Sequence, residues 1–275
     1  MQAPSFQERV VTVADTPVHY IEAGTGDLLL LIHGSLCDYR YWRWQMAALA
    51  QHFHVVAPSL PGCWPAAVGP EDDPERRYSV ERHVSAVVEL CEQLSPQQPV
   101  HLLGHSRGAQ VAVEAALAEP ARIGRLILAD PGFAFTGEAD APPIHTRIAA
   151  RLGTAALDDV LGEFVDTVNG PGTWRKTVSW FKEMVRDNAW TLVPQVRDMR
   201  RAVDADALTR ALPGPVLLLS GEASPPRYGS RIEVLRRALP HAHYEVIARA
   251  AHGMNLANAR DFNDVVLRFL TAPDS

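Results

Sequence analysis

The sequence predicts a doubly wound α/β sheet, on three observations. Short apolar runs are too continuous for strands with a wet face, amphipathic segments alternate with them, and one glycine-flanked turn joins a run to a helix. Residues 10–13 and 18–21 read as an opening hairpin that turns near Asp15-Thr16-Pro17. Residues 28–32, 55–57, 100–103, 126–129 and 216–219 read as buried strands, and 244–247 as the last one. A parallel sheet covered on both faces requires such uninterrupted hydrophobicity. Helical periodicity fills the gaps at about 40–51, 79–94, 107–118, 228–239 and 259–270.

The rhythm breaks after residue 129. From Pro131 to Leu212 no strand pattern is evident, while Leu157, Val160, Leu161, Phe164, Val165 and Val168 share one helical face. Trp174, Val178, Phe181 and Val185 form a second stripe. Pro142-Pro143 and Pro213-Gly214-Pro215 punctuate the block. The expected organisation is a core of residues 1–130 and 213–275, with 131–212 inserted between strands 6 and 7 as a helical cap. Such a cap would lie over the C-terminal edge of the sheet, where open α/β sheets bind ligands. Residues 65–77 are Pro-rich and acidic and read as a solvated loop.

Net charge of −6 with no Lys/Arg-rich run argues against a nucleic-acid partner. The longest aliphatic run, residues 28–32, is far too short for a bilayer, and the first eleven residues lack a signal-peptide pattern. Cys37, Cys63 and Cys91 cannot all pair and are not spaced for a metal. These features set the expectation of a cytoplasmic protein without metal or cofactor; oligomeric state is left open.

Chemistry concentrates at Gly104-His105-Ser106-Arg107-Gly108, a G-x-S-x-G box between a strand and a helix. The turn it encodes is so tight that the flanking glycines must admit touching backbones, and the serine hydroxyl is thrust above the sheet. A serine hydroxyl needs a base, and chain order for this architecture puts that histidine late. His252 follows the last strand; His241 and His243 flank or enter it. Attack on a carbonyl also needs N–H donors for the oxyanion. Arg107, after the nucleophile, offers one, and Ser35, after His33-Gly34, offers the second.

Leu31-Ile32-His33-Gly34, the elbow and the late His252, in this order, resemble the α/β-hydrolase superfamily over essentially the whole chain. The nearest resemblance is to capped bacterial hydrolases labelled as esterases of the pimeloyl-ACP methyl ester type. It implies an eight-stranded, mostly parallel sheet and a Ser-His-acid triad. The chain departs from the family pattern twice. Ser59-Leu60-Pro61-Gly62-Cys63-Trp64 replaces the frequent Asp-x-x-Gly-x-Gly, and Ser224 stands where the acid usually follows strand 7. A subset of the superfamily takes its acid from the end of strand 6, which here is Asp130; Glu222 is the competing carboxylate, and a Ser-His dyad the third arrangement.

The resemblance implies hydrolysis of a small or medium hydrophobic ester, thioester or lactone. Cofactor-free dioxygenation, C–C bond hydrolysis, perhydrolysis and ligand reception on a hydrolase fold are the alternatives. Candidate pocket residues are His33, Cys37, Tyr41, His105, Trp174, Trp180, Phe181 and Met184, with Trp190 a further aromatic of the cap. The Arg107 guanidinium is a candidate partner for a substrate carboxylate.

Overall fold

Every residue of β3 (Leu28–Ile32) and β7 (Val216–Gly221) is buried, which is why both read as unbroken apolar runs. In the computed structural model, which describes residues 6–13, 15–69, 78–136, 144–198, 202–212 and 214–273, they belong to one eight-stranded sheet. The other strands are β1 (Gln7–Val13), β2 (Thr16–Ala23), β4 (His54–Pro58), β5 (Val100–His105), β6 (Ile123–Ala129) and β8 (His243–Ile247). Their order is β1-β2-β4-β3-β5-β6-β7-β8. β2 is antiparallel to both its neighbours, and every pairing from β4 to β8 is parallel.

The two faces of the sheet divide the apolar residues by alternation. Leu28, Leu30 and Ile32 join one cluster, together with α2 (Val80–Leu94), α3 (Arg107–Ala118) and α10 (Pro226–Ala238). Leu29 and Leu31 join the other, against α1 (Arg43–Leu49) and α12 (Ala259–Leu270). The predicted helix at 40–51 resolves into a 3-10 turn, Tyr39–Trp42, followed by the shorter α1. Asp38 starts that turn by accepting the Arg40 N–H. The three cysteines are free and buried.

Between β6 and β7 lie α4 (Ile144–Ala149), α5 (Leu157–Asn169), α6 (Thr173–Lys176), α7 (Ser179–Asp187), α8 (Leu192–Asp198) and α9 (Ala205–Ala211). Ile148, Val160, Leu161, Phe164, Val165, Val185 and Leu192 pack there into a cluster of their own, joined by Leu36 from the loop after β3. The stripe Trp174-Val178-Phe181-Val185 is not one helix face. The chain leaves helical geometry at Thr177, and Val178 is 56% exposed. Both ends of the block pack with the sheet instead: Phe133, Phe135, Val203, Leu208 and Leu212 belong to its larger cluster, with a bridge between Phe135 and Val203. Pro142-Pro143, Pro213 and most of the acidic loop fall outside the described residues. Among the described residues no helix is long and apolar enough to cross a membrane.

β5 ends at His105 and α3 starts at Arg107, so Ser106 alone makes the reversal, at φ 55° and ψ −118°. A non-glycine residue held there costs about 1–3 kcal/mol of strain, supported by its surroundings. The tight reversal drives the start of α3 against the end of β3. A Cβ on Gly108 would stand 2.1 Å from the Ile32 carbonyl oxygen, and one on Gly104 would stand 2.3 Å from the Gly108 oxygen. Gly108→Ala should therefore cost about 1–3 kcal/mol of stability or more, read as a lower urea midpoint. An unchanged midpoint would show that this contact can relax.

Candidate active site

The loop after β6 holds the elbow from the other side. Ser106 N–H donates to the Ala129 carbonyl at 2.9 Å, and Gly132 N–H donates to the Ser106 carbonyl at 2.9 Å. Gly132 comes so close that a Cβ there would lie 2.9 Å from Arg107 N and 3.0 Å from Ser106 Oγ. Any side chain at this position would cover both the Ser106 hydroxyl and the Arg107 N–H. The His33-Gly34-Ser35 loop closes the third side, with a Cβ on Gly34 only 3.0 Å from that of Ser106. Gln195 of α8 donates to Ser35 Oγ at 2.6 Å and ties this loop to the helical block.

Asp130 sits in the same β6 loop at φ 40° and is fully buried. Its Oδ2 lies 3.1 Å from Nδ1 of His252, which comes from the loop between β8 and α11 (Met254–Ala257). Ser224, the residue at the usual acid position, donates its hydroxyl to the same oxygen. Glu222 is exposed and accepts the Arg249 N–H at 2.7 Å, so it serves the turn after β8 and not the imidazole. Of the two competing carboxylates, the structure brings Asp130 to His252.

Two aromatic rings pack against the imidazole. Tyr228 stacks on it at 4.1 Å between centroids and 13° between planes, and His105 lies on it at 4.5 Å. His105 Nε2–H also donates to the His252 carbonyl at 2.7 Å. Asn169 Oδ1, at the end of α5, accepts the next N–H, of Gly253, at 2.7 Å. The Tyr228 hydroxyl is 3.3 Å from Nε2, and Ser106 Oγ joins neither hydrogen bond of the ring. Catalytic hydrogen bonds are commonly long in unliganded enzymes and tighten when substrate binds.

Ser106 faces a cavity of about 1480 Å³. Cys37, Tyr41, His105, Trp180 and Phe181 line it, as the sequence anticipated. His33, Trp174 and Met184 do not. His33 is buried and structural: Nδ1 donates to Gly34 O at 2.9 Å and Nε2 accepts Leu60 N–H at 3.0 Å. Trp174 packs on Gly162, and Met184 is fully buried in the cluster with α1 and α12. The Arg107 guanidinium is turned onto the Tyr78 ring, 4.9 Å away, and toward His83. Tyr228, Gly132, Arg227 and Arg231 were not anticipated. An Arg-x-x-x-Arg pattern on a helix reads as a solvated face, and no pattern marks a tyrosine for stacking.

Burial dominates the electrostatics. It pushes His252 down to about 3, assisted by Arg227 and Arg231, and pushes Asp130 up to about 7 against the Ser224 hydrogen bond. The short Asp130–His252 contact works against both shifts by favouring carboxylate and imidazolium together. Burial also lowers His33, His83 and His105.

The sequence profile of the Alpha/beta hydrolase family matches residues 29–265. An uncharacterized protein of Mycobacterium tuberculosis is 37% identical over 110 residues, which are 40% of this chain and 30% of that protein. The chain thus spans less than a third of that relative's length. A second relative, an (E)-2-((N-methylformamido)methylene)succinate hydrolase of Acinetobacter baylyi, is 22% identical over 92% of this chain and 93% of its own. The crystal structure of a hydrolase from Pseudomonas aeruginosa superposes with a TM-score of 0.79 at 24% identity, covering 97% of this chain and 99% of that one. The chain belongs to the Alpha/beta hydrolase family.

The lowered histidines give stability a defined pH dependence. Below about pH 6.5 the unfolded chain protonates each of these side chains while the native state does not, so stability falls as pH falls. Each contributes up to about 1.4 kcal/mol per pH unit, and His33, His83, His105, His145 and His252 all act in this sense. Asp130, with its raised pKa, acts oppositely and is outnumbered. Urea unfolding at pH 5.0 should show a clearly lower midpoint than at pH 7.5; equal midpoints would mean that these histidines are not held neutral.

Proposed function

We propose, from membership of this family, that the chain is a serine hydrolase that cleaves a carboxylic ester through an acyl-enzyme on Ser106. The observation that carries the reading is the pairing of buried Asp130 with His252 Nδ1 at 3.1 Å, beside an elbow serine that opens on a large cavity. Asp130 accepts Nδ1–H and so fixes the tautomer with a free lone pair on Nε2. That nitrogen takes the Ser106 proton as Oγ attacks the carbonyl carbon. The N–H groups of Arg107 and Ser35 receive the oxyanion. Protonated Nε2 then gives its proton to the departing alkoxide. A water, deprotonated by the same nitrogen, attacks the acyl group and releases the acid and the free serine.

Ser224 has a part in this scheme without being the acid. Its hydroxyl supports the ionised form of Asp130, which burial opposes. Tyr228 and His105 keep the imidazole plane in register with the carboxylate. The helical block from β6 to β7 acts as a cap, and Phe164, Val165, Val168 and Phe181 give the acyl or alkyl chain an apolar wall. A small or medium ester suits that wall.

A fluorophosphonate should label Ser106, as read by mass spectrometry of the adduct, and Ser106→Ala should abolish both labelling and p-nitrophenyl butyrate turnover. Asp130→Asn should cost about 10³–10⁴ in kcat, the loss expected when the tautomer is wrong. Glu222→Gln should stay near the parent rate. Loss of turnover in Glu222→Gln with Asp130→Asn active would reverse the carboxylate assignment.

A further inference from the structure

The cavity is larger than a short ester requires. Its volume of about 1480 Å³ exceeds the roughly 300–1,000 Å³ of common small-molecule sites. Residues that line it and are also open to solvent mark its mouth. Trp44 and Val178 do both, at 50% and 56% exposure, and both are large and apolar. Trp180 and Leu256 line the cavity half-buried.

Side-chain contacts join the elements that carry these residues. Gln45 Nε2 donates to the Asn255 carbonyl at 2.8 Å, and Asn255 Nδ2 donates to Gln45 Oε1 at 3.3 Å. That exchange fixes α1 against α11, with Trp44 and Leu256 the next residues along each. The Arg43 guanidinium lies 4.9 Å from the Trp44 ring and 4.6 Å from the Trp180 ring, which ties α1 to α7. The chain leaves helical geometry at Thr177, and Val178 reaches the cavity just ahead of α7. Inward, Trp180 meets Phe181 edge-on at 5.7 Å, and Phe181 packs against the cluster that holds Phe164 and Val165. Apolar surface is therefore continuous from the mouth to the inner wall.

We propose that Trp44, Val178, Trp180 and Leu256 form a subsite for the far end of a linear alkyl chain, so that the substrate is a medium-chain ester; this rests on the serine hydrolase reading above. Exposed apolar side chains that continue a ligand cavity are surface that a ligand can take out of water. Each methylene fully withdrawn from water is worth up to about fourfold in binding, and one laid in a half-open mouth about twofold. A short chain is confined to the inner cavity and gains nothing from the mouth. A chain that reaches the mouth gains with every added carbon until it passes the rim. The chain can belong to the acyl or to the alcohol part of the ester, since either extends from the carbonyl carbon that Ser106 attacks.

The test measures kcat/KM below the solubility limit in two series, p-nitrophenyl butyrate to octanoate for the acyl side and butyl to octyl acetate for the alcohol side. In at least one series the eight-carbon member should exceed the four-carbon member at least tenfold, and that series identifies the part that carries the chain. Trp44→Ser, at an exposed position, should lower the same ratio at least fivefold; a ratio cancels any loss common to both lengths. A flat or falling profile in both series would overturn the proposal, as would a rise that survives Trp44→Ser. So would turnover that appears only above the solubility limit, which would point to a lipid surface at the mouth and not a single chain. Calorimetric titration with 1-octanol and 1-butanol makes the comparison without turnover. The preference for octanol should fall at least fivefold in Trp44→Ser, and an unchanged preference would overturn the proposal. Turnover of p-nitrophenyl butyrate with no gain from length would sink this inference alone. Absence of both Ser106 labelling and turnover of every ester would sink the serine hydrolase reading instead.

Discussion

The contact between the start of α3 and the end of β3 is the constraint on which the site depends. Two backbones can meet there only because residue 108 lacks a side chain, and the meeting forces the single residue between β5 and α3 into a positive φ. That conformation is unfavourable in isolation and persists because neighbouring loops grip it at both ends. The Ala129 carbonyl and the Gly132 N–H bind the two ends of Ser106. Strain at Ser106 is thus balanced by hydrogen bonds from the segment that also bears Asp130.

Three strand ends meet at the C-terminal edge of the sheet and divide the work. β5 delivers the hydroxyl, β6 delivers the carboxylate and the glycine that leaves the hydroxyl uncovered, and β7 leads to Ser224 and the face of α10. The Asp130 carboxylate and the Ser224 hydroxyl reach the same point from adjacent strands. A carboxylate at either strand end could meet the histidine, which explains how an acid can sit on β6 while a serine stands where one is usual on β7.

Legibility in the sequence tracked how local each constraint was. The buried strands were plain because burial on both faces leaves no polar residue to interrupt a run, as in Leu28–Ile32. The elbow and His252 were legible because tight turns and chain order restrict residue type and position. The break at Thr177 was not, since the apolar spacing of Trp174, Val178, Phe181 and Val185 mimics one continuous helix while the chain leaves helical geometry. Trp174 and Met184 were placed in the pocket because an aromatic or thioether suits a wall as well as a core, and only packing separates the two. Tyr228 and the arginines of α10 escaped notice because their meaning comes from residues distant in sequence.

Two side-chain amides join the inserted helices to the loops around Ser106. Gln195 holds the loop that bears Ser35, and Asn169 holds the backbone next to His252. The helices that shape the binding space are therefore also struts for the parts beneath them. Divergence of this block toward a new ligand is not a free exchange of one lid for another. A descendant that reshapes α5 or α8 must keep an acceptor for Gly253 N–H and a donor for Ser35 Oγ, or accept a looser alignment of the groups they hold.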